Sequence, residues 1–106
     1  MNPTVIMLKA SEAAADAFDC TAADLLRRKR GPLNVAHARF VAWWIIRQHS
    51  SISVARIGMF FGNRCHTTIL NGLNSVNDWV ENPDIFLAKS ELAATALKTF
   101  AEAIKR

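Results

Sequence analysis

The segment from about residue 35 to residue 49 is apolar around most of its circumference, and it constrains the fold more than any other feature of the chain. It contains Phe40, Val41, Trp43, Trp44, Ile45 and Ile46. A helix that is hydrophobic on all sides is normally covered by other helices at the centre of a bundle. The longest apolar run of this segment, Phe40 to Ile46, is far shorter than the roughly 20 apolar residues that a membrane-spanning helix needs. The segment therefore predicts a helical bundle built around a central helix.

Two helices are predicted before this segment. The first spans about residues 3–18, with Pro3 suited to a first-turn position. The second is short and begins after Thr21, with Asp24 placed three residues later to complete an approximate capping box. It ends in a run of basic residues, where Gly31-Pro32 stops the helical pattern.

Three more helices are predicted after the central one, and no strand. Ser53 caps a fourth helix over residues 54–61, and a fifth begins at Arg64 or Cys65 and ends near residue 79. Asn82 and Pro83 predict the N-cap and first residue of a sixth helix. The chain of 106 residues is therefore expected to be one all-α domain over residues 1–106, a six-helix bundle.

A tight turn at Gly62-Asn63 joins the fourth and fifth helices, and this arrangement predicts a helix-turn-helix. Such motifs place their second helix in the major groove of DNA. At about 100° per residue, one side of the fifth helix carries Ile69, Leu73 and Val76. The opposite side carries Arg64, Thr67, Asn71 and Asn74. Arginine can bond guanine and asparagine can bond adenine bidentately, so this face suits base reading.

The distribution of charge favours the same function more than the net charge does. The chain has 13 Lys and Arg against 9 Asp and Glu, a mild excess of +4. No acidic residue occurs between Ala55 and Asn77. A basic run is formed by Arg27, Arg28, Lys29 and Arg30. If all of them met phosphates, binding would have a salt slope of roughly −3.6. The alternative, a solvated helix face and a loop whose charges face only water, remains open.

Catalysis, metal binding and secretion find little support in the sequence. Cys65 and His66 are neighbours on a helix and cannot face each other as a nucleophile and its base. The cysteines Cys20 and Cys65 and the three histidines lack zinc-ligand spacing, and free thiols in a reducing compartment are expected. No secretory signal and no GxxxxGK[ST] nucleotide loop are present. We therefore expect a non-enzymatic, cytoplasmic protein without cofactor, metal or membrane partner.

One motif resembles a known family. Its residues are Asp24-Leu25-Leu26, Lys29-Arg30, Val35-Ala36, Arg39, Ser53, Ile57-Gly58, Phe61-Gly62, Arg64 and His66-Thr67-Thr68. From about residue 14 to residue 76 the chain resembles, without a gap, the C-terminal DNA-binding domain of the bacterial replication initiator DnaA. The signature Phe-Gly-x-Arg-x-His-Thr-Thr is specific to that family. The resemblance implies a Trp-repressor-like helical bundle whose helix-turn-helix binds a short duplex element, the DnaA box.

The resemblance also implies which residues contact DNA. His66, Thr67 and Thr68 correspond to the major-groove residues, and the basic run corresponds to a phosphate-binding loop. Arg39 and His37 correspond to positions in the segment that approaches the minor groove. With the residues of the helix face, the predicted DNA-binding set is Arg27, Arg28, Lys29, Arg30, His37, Arg39, Ser53, Arg64, Cys65, His66, Thr67, Thr68 and Asn71.

Departures from the family pattern leave the recognised sequence open. Cys65 stands where the family has an Asp that reads bases, and His37 stands where it has an arginine that enters the minor groove. Met59 and Phe60 are bulkier or more apolar than their family counterparts. They motivate the alternative of a protein-interaction module that has lost specific DNA binding.

The main expectation is a nucleoid-associated binder of double-stranded DNA without ATPase activity, a DNA-binding domain on its own. Its role, in replication control or in transcription regulation, is left open. A second copy of the chain or a replication initiator is left open as a protein partner.

Overall fold

The computed structural model describes residues 2–105, and within that range the secondary structure consists of six helices without a strand. The helices are α1 (Pro3–Ala17), α2 (Ala22–Leu26), α3 (Leu33–His49), α4 (Val54–Phe60), α5 (His66–Glu81) and α6 (Leu87–Ile104). The predicted all-α bundle is confirmed, and the helix-turn-helix is formed by α4 and α5.

Helix α3 lies at the centre, as its apolar circumference predicts. It packs against α1 on one side and α5 on another, and α6 covers α1 and parts of α5 and α3. Trp43 and Trp44 are both buried, and the Trp43 ring meets Phe61 edge-on at 6.0 Å between centroids. Each large apolar side chain removed from water in this way stabilises the fold by about 1.5–3 kcal/mol.

Small residues allow α1 to approach the core closely. Its buried face is made mainly of alanines, Ala10, Ala13, Ala14 and Ala15, together with Met7 and Ser11. The hydroxyl of Ser11 donates to the carbonyl of Met7 at 2.7 Å, so this buried polar group is satisfied within its own helix. The helix begins after Asn2, whose side chain accepts from the backbone N–H of Thr4 at 2.8 Å.

The predicted capping box of α2 is present in full. The N–H of Asp24 donates to the Thr21 hydroxyl at 3.2 Å, and the N–H of Thr21 donates to the Asp24 carboxylate at 3.1 Å. The backbone N–H of Thr21, and then the Thr21 hydroxyl, hold the pKa of the Asp24 carboxyl below its usual value. Because the helix ends at Leu26, the whole basic run lies outside it, in the loop that leads to α3.

The start of α6 was predicted wrongly. Asn82 does not cap it, since its side chain donates backwards to the carbonyl and the carboxylate of Asp78, at 3.0 and 3.1 Å. The Asn82 carbonyl instead accepts from Ile85 and Phe86 in a turn, and α6 begins only at Leu87. Asn82 therefore marks the end of α5, which continues to Glu81, and not the start of α6. Helix α3 also begins earlier than predicted, at Leu33, directly after Pro32.

Candidate nucleic-acid interface

The turn between α4 and α5 is built from backbone geometry that few residues tolerate. After Phe61, both Gly62 and Asn63 adopt the left-handed conformation, with φ of 83° and 59°. The chain then returns so that the N–H of Arg64 donates to the carbonyl of Gly58 at 2.9 Å. A Cβ at Gly58 would overlap the Arg64 carbonyl oxygen, so this close approach requires glycine. The turn thus fixes the angle between the two helices.

Helix α5 divides into the two faces that its sequence predicts. Ile69, Val76 and Trp79 are buried, with Gly72 set close against the rings of Phe40 and Trp43. The other side is exposed and polar, with His66, Thr67, Asn71 and Asn74. The helix begins at His66, so Arg64 belongs to the turn and not to the helix.

Cys65 is the N-cap of α5, but its side chain makes no capping hydrogen bond to the backbone of the helix. Its exposed thiol lies 3.3 Å from the hydroxyl of Thr68. This contact, followed by the backbone N–H of Thr68, holds the pKa of the Cys65 thiol below its usual value. At the other end of the motif, Ser53 caps α4 by accepting from the N–H of Arg56 at 3.2 Å. Both cap residues are exposed.

The basic loop, residues 27–31, lies directly against the helix-turn-helix. Gly62 approaches its backbone so closely that a Cβ there would stand 2.8 Å from the Cα of Arg28. The Arg64 guanidinium donates to the carbonyls of Arg27 and Arg28, at 3.0 and 3.2 Å. Burial, and then the charge of Arg28, lower the pKa of Arg64. The turn and the basic loop are therefore joined through Arg64, a contact that spacing along the chain does not reveal.

A cleft of about 250 Å³ opens where the basic loop, α3 and the first turn of α5 meet. It is lined by Arg30, Ala36, Arg39, Phe40, Trp43, Arg64 and Thr68. The side chains of the basic run, from Arg27 to Arg30, are all exposed. Asp24 is the acid nearest to them, with its carboxylate 3.7 Å from the Arg27 guanidinium. The loop and the start of α5 thus border one continuous, strongly basic face.

Arg39 is buried beneath that face, although the resemblance implies a place in the segment that approaches DNA. Only 2% of the residue is exposed, and its guanidinium donates to the carbonyls of Asp24, Leu25, Arg27, Lys29 and Arg30. Burial, with the charge of Arg64 second, lowers the pKa of Arg39 to about 10, so the side chain remains charged at neutral pH. No signal in a single sequence distinguishes this buried arginine from an exposed one.

His37 packs against aromatic side chains, although the resemblance implies that it lies near DNA. Its ring packs against Trp79 of α5 at 5.0 Å and against Phe40 at 5.9 Å. Burial, and then the charge of Lys89, lower its pKa, which favours the neutral ring. In this position His37 is a packing residue between α3 and α5, and its placement does not support a contact with DNA.

Within residues 2–105 there is no cluster of His, Cys, Asp and Glu side chains suited to hold a metal ion. In the same range, no helix combines the length and the apolar character needed to cross a membrane.

The comparisons with known proteins agree with this geometry. The family described as the bacterial DnaA protein helix-turn-helix matches residues 9–76, which include α2 to α4 and most of α1 and α5. The chain is similar to the chromosomal replication initiator protein DnaA of Oenococcus oeni, with 31% identity over 79% of this chain and 18% of that protein. It is also similar to the initiators of Ralstonia nicotianae and Burkholderia multivorans, each with 30% identity over 73% of this chain. These matches cover 15% and 14% of those two proteins.

The chain thus spans less than a fifth of the length of these relatives. Within that part, both the sequence match and the α4–turn–α5 geometry are those of a DNA-binding helix-turn-helix. The chain belongs to the bacterial DnaA helix-turn-helix family.

Proposed function

We propose that this chain binds double-stranded DNA in a sequence-specific manner and acts in replication control or in transcription regulation, without catalysing a reaction. The observation that supports this most is the shared face of the basic loop and the start of α5. Phosphate contacts position a protein on the duplex, whereas contacts to base edges choose the sequence. The two parts of this face suit those two tasks.

The basic loop supplies the phosphate contacts in this proposal. The side chains of Arg27, Arg28, Lys29 and Arg30 are exposed, and the loop backbone is held against the turn by Arg64. The N-terminus of α5 adds the positive end of a 16-residue helix, which also favours a phosphate. In this proposal Ser53, exposed at the start of α4, donates its hydroxyl hydrogen to a phosphate of the same duplex.

The exposed side of α5 reads the bases in this proposal. His66, Thr67 and Asn71 present donors, acceptors and a methyl group of the kinds that distinguish base pairs in the major groove. Cys65 and Thr68 lie beside them in the first turn. A thiol is a weak donor and a weak acceptor, so Cys65 reads a different base pattern from the aspartate of the family.

Selection of bound sites from a random duplex pool, with a DnaA-box duplex measured alongside, tests the proposal. We expect an enriched sequence bound at least a thousandfold more tightly than random duplex, as specific binders do. A DnaA box preferred over every other sequence would contradict the role given to Cys65. If micromolar protein causes no gel shift of random duplex at low salt, the proposal of DNA binding itself is overturned.

A second candidate function, a protein-interaction module on the same fold, is favoured by the apolar exposure of α4 and α1. Met59 is 71% exposed, and Val5 and Leu8 are each 39% exposed. These side chains flank two adjacent grooves that share Thr4. A second copy of the chain or a replication initiator would be the partner. A gel shift with random duplex separates the two candidates, because a protein-interaction module keeps its fold but does not retard the duplex.

A further inference from the structure

The basic loop is folded around one buried guanidinium. Arg39 of α3 donates from Nε to the carbonyl of Leu25 at 2.9 Å and from Nη1 to the carbonyl of Arg30 at 2.6 Å. Its Nη2 donates to three more carbonyls, those of Asp24, Arg27 and Lys29, at 2.8, 3.1 and 2.9 Å. Guanidinium has five N–H donors in a planar fork, and here all three of its nitrogens donate, with the two N–H groups of Nη2 shared among three carbonyls.

This arrangement determines where the loop side chains point. Because the carbonyls converge on Arg39, the four consecutive cationic side chains are left on the outside, and all of them are exposed. Like charges on neighbouring residues repel one another, and a short irregular loop gains little from packing. An ordered loop of this composition therefore depends on contacts to its backbone, and Arg39 supplies most of those that side chains make.

The same loop is tied to the helix-turn-helix by a second arginine. Arg64 donates to the carbonyl of Arg27, which Arg39 also contacts, and to that of Arg28. The two guanidinium groups thus hold the loop backbone from the core side and from the turn side. This pair holds the loop backbone against the turn that precedes α5.

We propose that Arg39 is a positioning residue for DNA binding. It does not touch the duplex; it holds the basic loop so that the loop cations and the start of α5 meet one duplex together. This inference rests on the proposed function. A lysine could keep the charge at this position but has only three donors on one atom, so it could not hold five carbonyls.

The test compares Arg39→Lys and Arg39→Met with the unchanged chain, at a temperature where thermal unfolding curves show each protein folded. The first measurement is limited trypsin digestion, since trypsin cleaves after arginine and lysine and the loop offers consecutive sites. We expect slow cleavage of the loop in the unchanged chain and at least tenfold faster cleavage between residues 27 and 31 in both variants. This measurement does not depend on DNA.

The second measurement is the salt dependence of binding to the selected duplex. We expect both variants to bind at least tenfold more weakly at 50 mM salt, with the slope reduced in magnitude by about 2 as loop–phosphate contacts become disordered. Phe100→Leu serves as a destabilised control, because Phe100 is buried in α6 and distant in sequence from the loop. It should lower stability and leave the salt slope unchanged.

Each outcome decides the matter. A loop that resists trypsin in a folded Arg39→Lys protein, or an accessible loop with an unchanged salt slope, would overturn the positioning role. If Arg39→Met does not fold, the lysine variant carries the comparison. If the unchanged chain binds no duplex, the proposed function fails first, and the trypsin result then reports only on how the loop is held.

Discussion

The basic loop and the first turn of α5 form neighbouring parts of one face, but they are held in opposite ways. The loop has no regular structure, yet arginine side chains fix its carbonyls at 2.6–3.2 Å. The first turn of α5 is regular, yet its N-cap Cys65 makes no capping bond and is exposed. The loop is thus held by side-chain donors from other parts of the chain, whereas the first turn of α5 is held by its own backbone hydrogen bonds.

This difference separates affinity from sequence choice. In the proposed function, the loop cations contact phosphates on any duplex, and they would account for the salt-dependent part of the affinity. In the same proposal, side chains on the first turn of α5 meet base edges, and they would account for discrimination between sequences. Substitutions in the two regions should accordingly change different measured quantities, and each of the following experiments addresses one region or the contact between them.

The largest effect is expected at Gly62, where the two regions touch. In Gly62→Ala the new Cβ meets the backbone of Arg28 at 2.8–3.0 Å, and the residue must keep a φ of 83°. Strain and overpacking together should lower the free energy of unfolding by about 3 kcal/mol. The loop should also move away from the turn, weakening DNA binding by the folded protein. Chemical denaturation and a binding titration measure the two effects.

Asn63→Gly is the matched control for this substitution. Asn63 is also left-handed, with φ of 59°, but it is exposed, and glycine fits its conformation without a steric cost. Its stability and its affinity for DNA should stay near those of the unchanged chain. Equal losses in both variants would mean that the turn, and not its contact with the loop, is responsible.

Much of this architecture could be predicted from the sequence because it rests on local patterns. The central helix α3 follows from its apolar circumference, the capping box of α2 from Thr21 and Asp24, and the faces of α5 from helical spacing. The helix-turn-helix follows from the turn at Gly62-Asn63 and from the family signature. In each case the residues that determine the structure lie within one or two turns of chain.

The features that could not be predicted depend on distant partners. Arg39 and Arg64 were both expected on the DNA side, but the carbonyls that they contact lie 9–15 and 36–37 residues away along the chain. Asn82 has the residue type of a helix cap at either end of a helix, and only the folded chain shows that it closes α5. Family likeness assigned Arg39 and His37 to DNA without distinguishing a side chain that reaches the duplex from one that supports it.

A smaller effect is expected when charge is removed from the loop without disturbing its backbone. Replacing Arg28 and Arg30 together by alanine should reduce the salt slope from roughly −3.6 to roughly −1.8 if each arginine neutralises one phosphate. Between 50 and 200 mM salt the affinity of the double variant would then fall about 12-fold, against about 150-fold for the unchanged chain.

The control removes the same charge from α6 and its C-cap, by replacing Lys98 and Lys105 with alanine. Both lysines are exposed, and this double variant has the same net charge as the loop variant. Its salt slope should equal that of the unchanged chain. A similar reduction in both double variants would show that the net charge of the molecule, and not the held loop, determines the affinity.

The smallest effect is expected at Cys65, and it should appear in the preference for one duplex sequence over another. In Cys65→Asp a carboxylate at the N-cap can accept from the backbone of α5 and from a cytosine amine, so the preference for a DnaA box over the selected site should rise about fivefold or more. Competition between the two duplexes measures this ratio.

The lowered pKa of the Cys65 thiol adds a second measurement, the pH dependence of stability. A group whose folded pKa is depressed stabilises the fold at high pH and loses that contribution as pH falls through its folded pKa. For the thiol, this loss should begin on the alkaline side, whereas for the aspartate it should occur only in acid. Cys65→Ser, which can cap the helix without a charge, and Cys20→Ser, outside the interface, separate the contributions of cap, charge and thiol. If Cys65→Asp and Cys65→Ser changed the duplex preference equally, capping would determine which sequence is bound, and the first turn of α5 would act through its order, as the basic loop does.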